Sequence, residues 1–135
     1  MISAVDSSLI LDVVIDDPAF ADASEECLRD ASVHGQLVAC ECVLAEIWPA
    51  FSGDDEFEEF LADWQIQFSA SSAQSAKLAG RLFGRYLDRG GKQGRVAADF
   101  LIGAHAQCHA DRLLARDRGY LRDYFSELVV VDPSA

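Results

Sequence analysis

The stretch Ile2-Ser3-Ala4-Val5-Asp6-Ser7-Ser8-Leu9-Ile10-Leu11-Asp12-Val13-Val14 changes its pattern halfway along. The first half is a short apolar run, as a buried strand requires. The second half spaces Leu9, Ile10, Val13 and Val14 as a helix does. Asp6 closes the strand, and Ser7 or Ser8 is placed to cap the helix. A strand running straight into a helix suggests an α/β chain if the alternation continues.

It does continue. Asp16-Asp17-Pro18 interrupts the chain, and the spacing of Phe20, Ala23, Cys27, Leu28 and Ala31 predicts a helix over 19–32. His34-Gly35 ends it, and Gln36–Ala39 reads as a second strand. A helix from Cys40 or Glu41 to Trp48 is ended or kinked by Pro49. Gly53-Asp54-Asp55 then opens an acidic helix with Phe57, Phe60, Leu61 and Trp64 as its apolar stripe, read as core or partner contacts. Ile66–Phe68 is a third short strand, and Ser71 or Ser72 begins a long helix burying Leu78, Leu82, Phe83, Tyr86 and Leu87. Gly90-Gly91-Lys92-Gln93-Gly94 is a basic loop, and a helix follows over 96–109. Strands over 112–115 and 128–131 flank a short helical turn over 120–125, and Asp132-Pro133 stops the last one. Short apolar strands alternating with helices predict an α/β fold with a largely parallel sheet. A length of 135 residues fits one domain spanning 1–135.

Half of the residues are hydrophobic and 25% are charged, which excludes a disordered chain. The net charge of −12 argues at first against a polyanionic partner. Its distribution argues differently. Residues 1–76 hold 16 acids and one base, Arg29, whereas residues 77–122 hold ten bases and four acids. There is no leader-like segment and no apolar run of about 18 residues, so a cytoplasmic protein without a membrane span is expected. Cys27, Cys40, Cys42 and Cys108 are expected as reduced thiols, since the C-x-C pair lacks the second pair of a zinc site.

Ligands gather beyond the carboxyl ends of parallel strands. Asp6 ends the first strand, Glu46 lies in the helix after the second, and Asp117 follows the fourth. Asp99 lies in the first turn of the helix leading into that fourth strand. Four carboxylates from separate segments converging at one sheet edge would repel and raise one another's pKa values. A hard divalent ion offsets that repulsion, and Mg²⁺ or Mn²⁺ accepts carboxylate, water and phosphate oxygens together. Such an ion activates water and stabilises charge on a phosphodiester, so metal-dependent hydrolysis of a nucleic-acid backbone is the chemistry suggested. Asp12, Asp16, Asp54, Asp55, Glu56, Glu58 and Glu59 are expected in loops or on solvated helix faces.

Other chemistries fit less well. His105 and His109 stand four apart but share no helix face with Asp99, and the H-E-x-x-H pattern is missing. No G-x-S-x-G elbow surrounds Ser7 or Ser8, and the glycines at 90, 91 and 94 match no phosphate-binding loop. A receiver-type regulatory module, binding Mg²⁺ without turnover, would carry paired acids at the first strand and a lysine near the last; neither is present. That non-catalytic Mg²⁺-binding module is the alternative reading. An Asp-x-Asp phosphatase is disfavoured because Ser8 occupies the second acidic position.

Four segments together resemble PIN-domain proteins, and most closely VapC-type toxins of toxin–antitoxin pairs. They are Val5-Asp6-Ser7-Ser8, Ala45-Glu46, Ala98-Asp99-Phe100-Leu101-Ile102-Gly103-Ala104-His105-Ala106 and Leu113-Leu114-Ala115-Arg116-Asp117-Arg118-Gly119-Tyr120 with Tyr124-Phe125. The resemblance spans nearly the whole chain in order. It implies a three-layer α/β/α fold with about five parallel strands, and a Mg²⁺- or Mn²⁺-dependent endoribonuclease. Asp6 and Asp99 would be the main metal ligands, Glu46 would ligate or position the ion, and Asp117 would support a second site or the attacking water. Ser7 or Ser8 would hydrogen-bond at the edge of the cluster. The resemblance also implies a homodimer and a VapB-type antitoxin whose tail covers the groove. Two departures stand out: Ala115 replaces a common hydroxyl residue, and Pro49 follows Glu46 closely. The basic stretch gains a role in this setting, with Arg85, Arg89, Arg95, Arg116 and Arg118 expected to hold RNA phosphates.

Overall fold

The computed structural model describes residues 1–91 and 96–135. Among these residues the strands are β1 (Ile2–Val5), β2 (Gln36–Ala39), β3 (Ile66–Phe68), β4 (Arg112–Leu114) and β5 (Val130–Val131). The helices are α1 (Ser7–Val14), α2 (Ala21–His34), α3 (Glu41–Ile47), α4 (Asp54–Trp64), α5 (Ala73–Asp88), α6 (Val96–His109) and α7 (Tyr120–Tyr124). All strand pairs are parallel, in the order β3-β2-β1-β4-β5. β1 is central, pairing Ser3 with both Leu37 of β2 and Arg112 of β4.

The sheet is short but nearly every inward position is apolar. Ala4, Val5, Leu37, Val38, Leu113 and Leu114 are buried, as the continuous apolar runs predict for strands covered on both faces. α1 packs on α2 and α5 packs on α6, while α3 touches both α1 and α6. The result is the expected three-layer α/β/α architecture. Truncating a residue such as Leu113, fully buried in the central layer, would cost about 2–5 kcal/mol.

The element boundaries agree closely with the sequence pattern, and the differences have local causes. α1 is capped by Asp6 rather than by a serine: its Oδ2 accepts the Ser8 backbone N–H at 3.2 Å and the Ser8 hydroxyl at 2.5 Å. Pro49 falls within a 3-10 turn over Trp48–Ala50, so α3 ends at Ile47 and Glu46 occupies its last turn. Ser72 caps α5 through a reciprocal pair with Ser75. Gly103 in α6 lets α7 approach closely, since a Cβ there would meet Phe125 at 2.9 Å and Leu121 at 3.0 Å. The cysteines are unpaired thiols. Among the described residues no helix is long and apolar enough to cross a membrane.

Candidate active site

The chain turns back through the sheet beside β1: β2 and β3 lie on one side, β4 and β5 on the other. A cavity at such a switch point is set by topology. Here it has a volume of about 390 Å³ and its walls include Asp6, Ser7, Ser8, Glu46, Asp99 and Asp117. Thus the carboxylates expected from four separate segments line one space.

Three of them feel one another. Burial raises the pKa of Asp6, against the hydrogen bonds from Ser8. Burial and then the Asp6 charge raise Glu46, whose Oε1 accepts the Ser7 hydroxyl at 3.1 Å. Asp99 is pushed up to about 6 by burial, then by the charges of Asp6 and Glu46. Arg118, exposed at the mouth of the cavity, counteracts the rise at all three.

Asp117 stands apart in use. Its Oδ1 accepts the backbone N–H of Gly119 at 2.8 Å and of Leu121 at 3.2 Å, and its Oδ2 accepts that of Arg122 at 3.0 Å. It therefore anchors the first turn of α7, where Gly119 takes a φ of 103° that other residues adopt only with strain. Its own N–H donates to Asp132 Oδ2 at 3.0 Å, which ties the end of β5 to the same turn.

Two expectations about charged residues change. Asp12 was expected on a solvated face but its side chain is only 3% exposed. It accepts Arg116 Nε and Nη2 at 2.9 Å each, as well as the Ser24 hydroxyl at 2.7 Å. The Arg116 guanidinium, expected at an RNA surface, is thereby drawn inward and lies 4.1 Å from the Phe20 ring centroid. One acid in the apolar helix α1, three residues after the buried Leu9, is the sequence signal that could have marked this pair.

The remaining basic positions are spread out. Arg118 faces the carboxylates, Arg85 is exposed in the last turn of α5, and the Arg89 guanidinium sits 5.3 Å from the Tyr124 ring. Arg95 and Lys92 lie outside the described residues. His105 and His109 bond to the Ser69 and Ser72 hydroxyls, both at 2.9 Å. Ala115 is buried and donates its N–H to Val131 in the strand layer. The hydroxyl beside the loop comes instead from Ser8, whose Oγ accepts the Arg116 N–H at 3.3 Å while donating to Asp6.

The donor set suits a hard cation. The hydrogen bonds from Ser8 to Asp6 both fall on Oδ2. Asp99 has no hydrogen-bonded partner among the described residues, although it is partly buried and destabilised as an anion. No three His, Cys, Asp or Glu side chains among the described residues are already gathered tightly enough to hold an ion alone. Mg²⁺ does not demand such a cage, because it keeps several waters and binds one or two carboxylates.

No known family model matches the chain, and no curated protein is similar to it in sequence. Solved structures do match. The chain is similar to one in VapBC2 of Rickettsia felis bound to a promoter DNA fragment, with a TM-score of 0.73, 18% identity and 98% of each chain covered. It is similar to one in VapBC-1 of nontypeable Haemophilus influenzae, with a TM-score of 0.70, 15% identity and 100% of both chains covered. A toxin–antitoxin complex from Klebsiella pneumoniae matches with a TM-score of 0.68, 16% identity and 97% coverage of each chain. What the chain shares with them over its whole length is the fold, the PIN-type α/β/α arrangement of VapC chains.

Proposed function

We propose that this protein is a metal-dependent endoribonuclease, the toxin of a toxin–antitoxin pair, hydrolysing RNA phosphodiester bonds with Mg²⁺ or Mn²⁺. The observation that carries the reading is the convergence of Asp6, Glu46 and Asp99 in one cavity, each with its pKa raised. Strained carboxylates of this kind are characteristic of sites that bind a cation or move protons. Asp6 and Asp99 would hold the ion, with Glu46 ligating it or fixing its water. When bound, the ion supplies a water activated for attack and a positive charge beside the phosphodiester. Ser7 and Ser8 keep the Glu46 and Asp6 carboxylates oriented through their hydroxyls. Arg118 is placed to draw in a phosphate and to balance charge on the acids. Asp117 contributes by fixing the turn that presents Arg118.

The proposed partners are an RNA substrate, a VapB-type antitoxin and a second copy of this chain. The antitoxin is supported by the structural neighbours being chains of VapBC complexes. The homodimer follows only from the resemblance, as does work in the cytoplasm on cellular RNA. The decisive experiment incubates the protein with tRNA, rRNA and mRNA, with Mg²⁺, Mn²⁺ or chelator, beside Asp6→Ala and Asp99→Ala. Cleavage should need the metal and fall at least ~100-fold in either variant. Equal activity in the variants, or no metal-dependent cleavage of any substrate, sinks the reading.

A further inference from the structure

The carboxylate cavity has one aromatic residue in its lining among the described residues, and it has no assigned role. Tyr120, the first residue of α7, lines it beside Asp99 and Arg118, and its side chain is hydrogen-bonded to that of Tyr86 on α5. Its ring stands edge-on to Tyr86 at 5.5 Å and rests 6.1 Å from Phe100, the residue after Asp99. The rings of this cluster differ in exposure, and Phe83, stacked on Tyr86 at 6.1 Å, is partly covered. Phe100 and Phe125 are buried, whereas Tyr86, Tyr120 and Tyr124 are only partly covered. Phenylalanine would serve ring packing alone; a phenol at the rim presents a polar tip to whatever enters.

The rings also form a continuous path. From Tyr120 it passes to Tyr86, then to Tyr124 at 6.0 Å, and ends where the Arg89 guanidinium lies 5.3 Å from the Tyr124 ring. Aromatic surfaces leading to a cation are the elements with which proteins grip single-stranded nucleic acid.

We propose that Tyr120 is a substrate-contacting residue: the nucleotide beside the phosphate held at the carboxylates forms a hydrogen bond with its hydroxyl, and the single strand continues past Tyr86 and Tyr124 to Arg89. This assignment rests on the ribonuclease reading above.

Tyr120→Phe tests it, since the ring stays in place and only the hydroxyl is lost. Binding of a labelled single-stranded RNA is read by fluorescence anisotropy with Ca²⁺ in place of Mg²⁺, beside Mn²⁺ affinity, thermal melting and cleavage rate. The expected result is about five-fold weaker RNA binding, with Mn²⁺ affinity and melting unchanged. Tyr86→Phe, which leaves the Tyr120 hydroxyl, should weaken binding less. Wild-type RNA affinity in Tyr120→Phe overturns the assignment while leaving the nuclease reading intact. An equal loss of Mn²⁺ affinity, or an equal effect of Tyr86→Phe, also overturns it, because the hydroxyl would then be acting through the acids or the packing. If wild type neither cleaves nor binds RNA, the nuclease reading itself fails and takes this assignment with it.

Discussion

Asp99 is a residue whose ionisation opposes folding. Its pKa stands at about 6 in the folded protein against 3.8 in its ordinary setting. Between those values the folded protein holds a proton that the unfolded chain has released, so stability falls as pH rises through this window and is regained as pH falls. His105, whose pKa burial lowers from 6.5, works in the opposite sense. The informative quantity is therefore the difference between wild type and Asp99→Asn without metal. The variant should be the more stable at about pH 7.5, with the advantage shrinking towards about pH 5. Denaturant titrations across that range measure it, and a difference independent of pH would contradict the origin given for the shift. Binding of Mn²⁺ to wild type should strengthen over the same rise in pH, since the ion competes with the proton.

At the scale of elements, α7 shows how one acid in the same cavity can have the opposite energetic sign. Asp117 accepts three backbone N–H groups at the start of a five-residue helix, where the first N–H groups have no partner within the helix. Asp117→Ala should destabilise the protein by about 1–2 kcal/mol, read as a lowered denaturation midpoint, and Asp117→Asn by less. A midpoint unchanged in the alanine variant would remove the capping role. Strands and helices were legible in the sequence because their apolar periods are local. Asp6, Glu46 and Asp99 could be placed together because strand ends in a parallel sheet share one edge. The lone acid of α1 singles out Asp12 in the sequence, but its partner Arg116 was not legible, because 104 residues separate them. Removing Arg116 would leave the buried Asp12 carboxylate without its cation and destabilise the fold, so the pair is structural in use. Asp6 as the cap of α1 was hidden for another reason: adjacent serines are equally good caps, and only geometry decides among them.

For the whole molecule, the excess of acids is the dominant long-range term. With a net charge of −12 the folded chain repels itself, and salt screens that repulsion. Raising monovalent salt from about 0.02 to about 0.2 M should therefore raise the melting temperature, on the order of 2 °C. A fall would mean that surface ion pairs outweigh the net repulsion. Among the described residues, the pairs Arg29–Glu25 and Arg122–Asp123 join near neighbours in water and contribute little. The sheet order carries one more consequence, for the time when the chain is being made. β1 leaves the ribosome first, yet one of its neighbours is β4, and the Asp6 N–H waits for the carbonyl of Leu114. Ser8 likewise meets Arg116 only across 108 residues. A nascent chain extended beyond Glu46 but not yet to Asp99 thus carries Asp6 and Glu46 with Asp99 and the β4 wall still missing. The acids of the site therefore come together only once α6 and β4 have been made and β4 has joined β1.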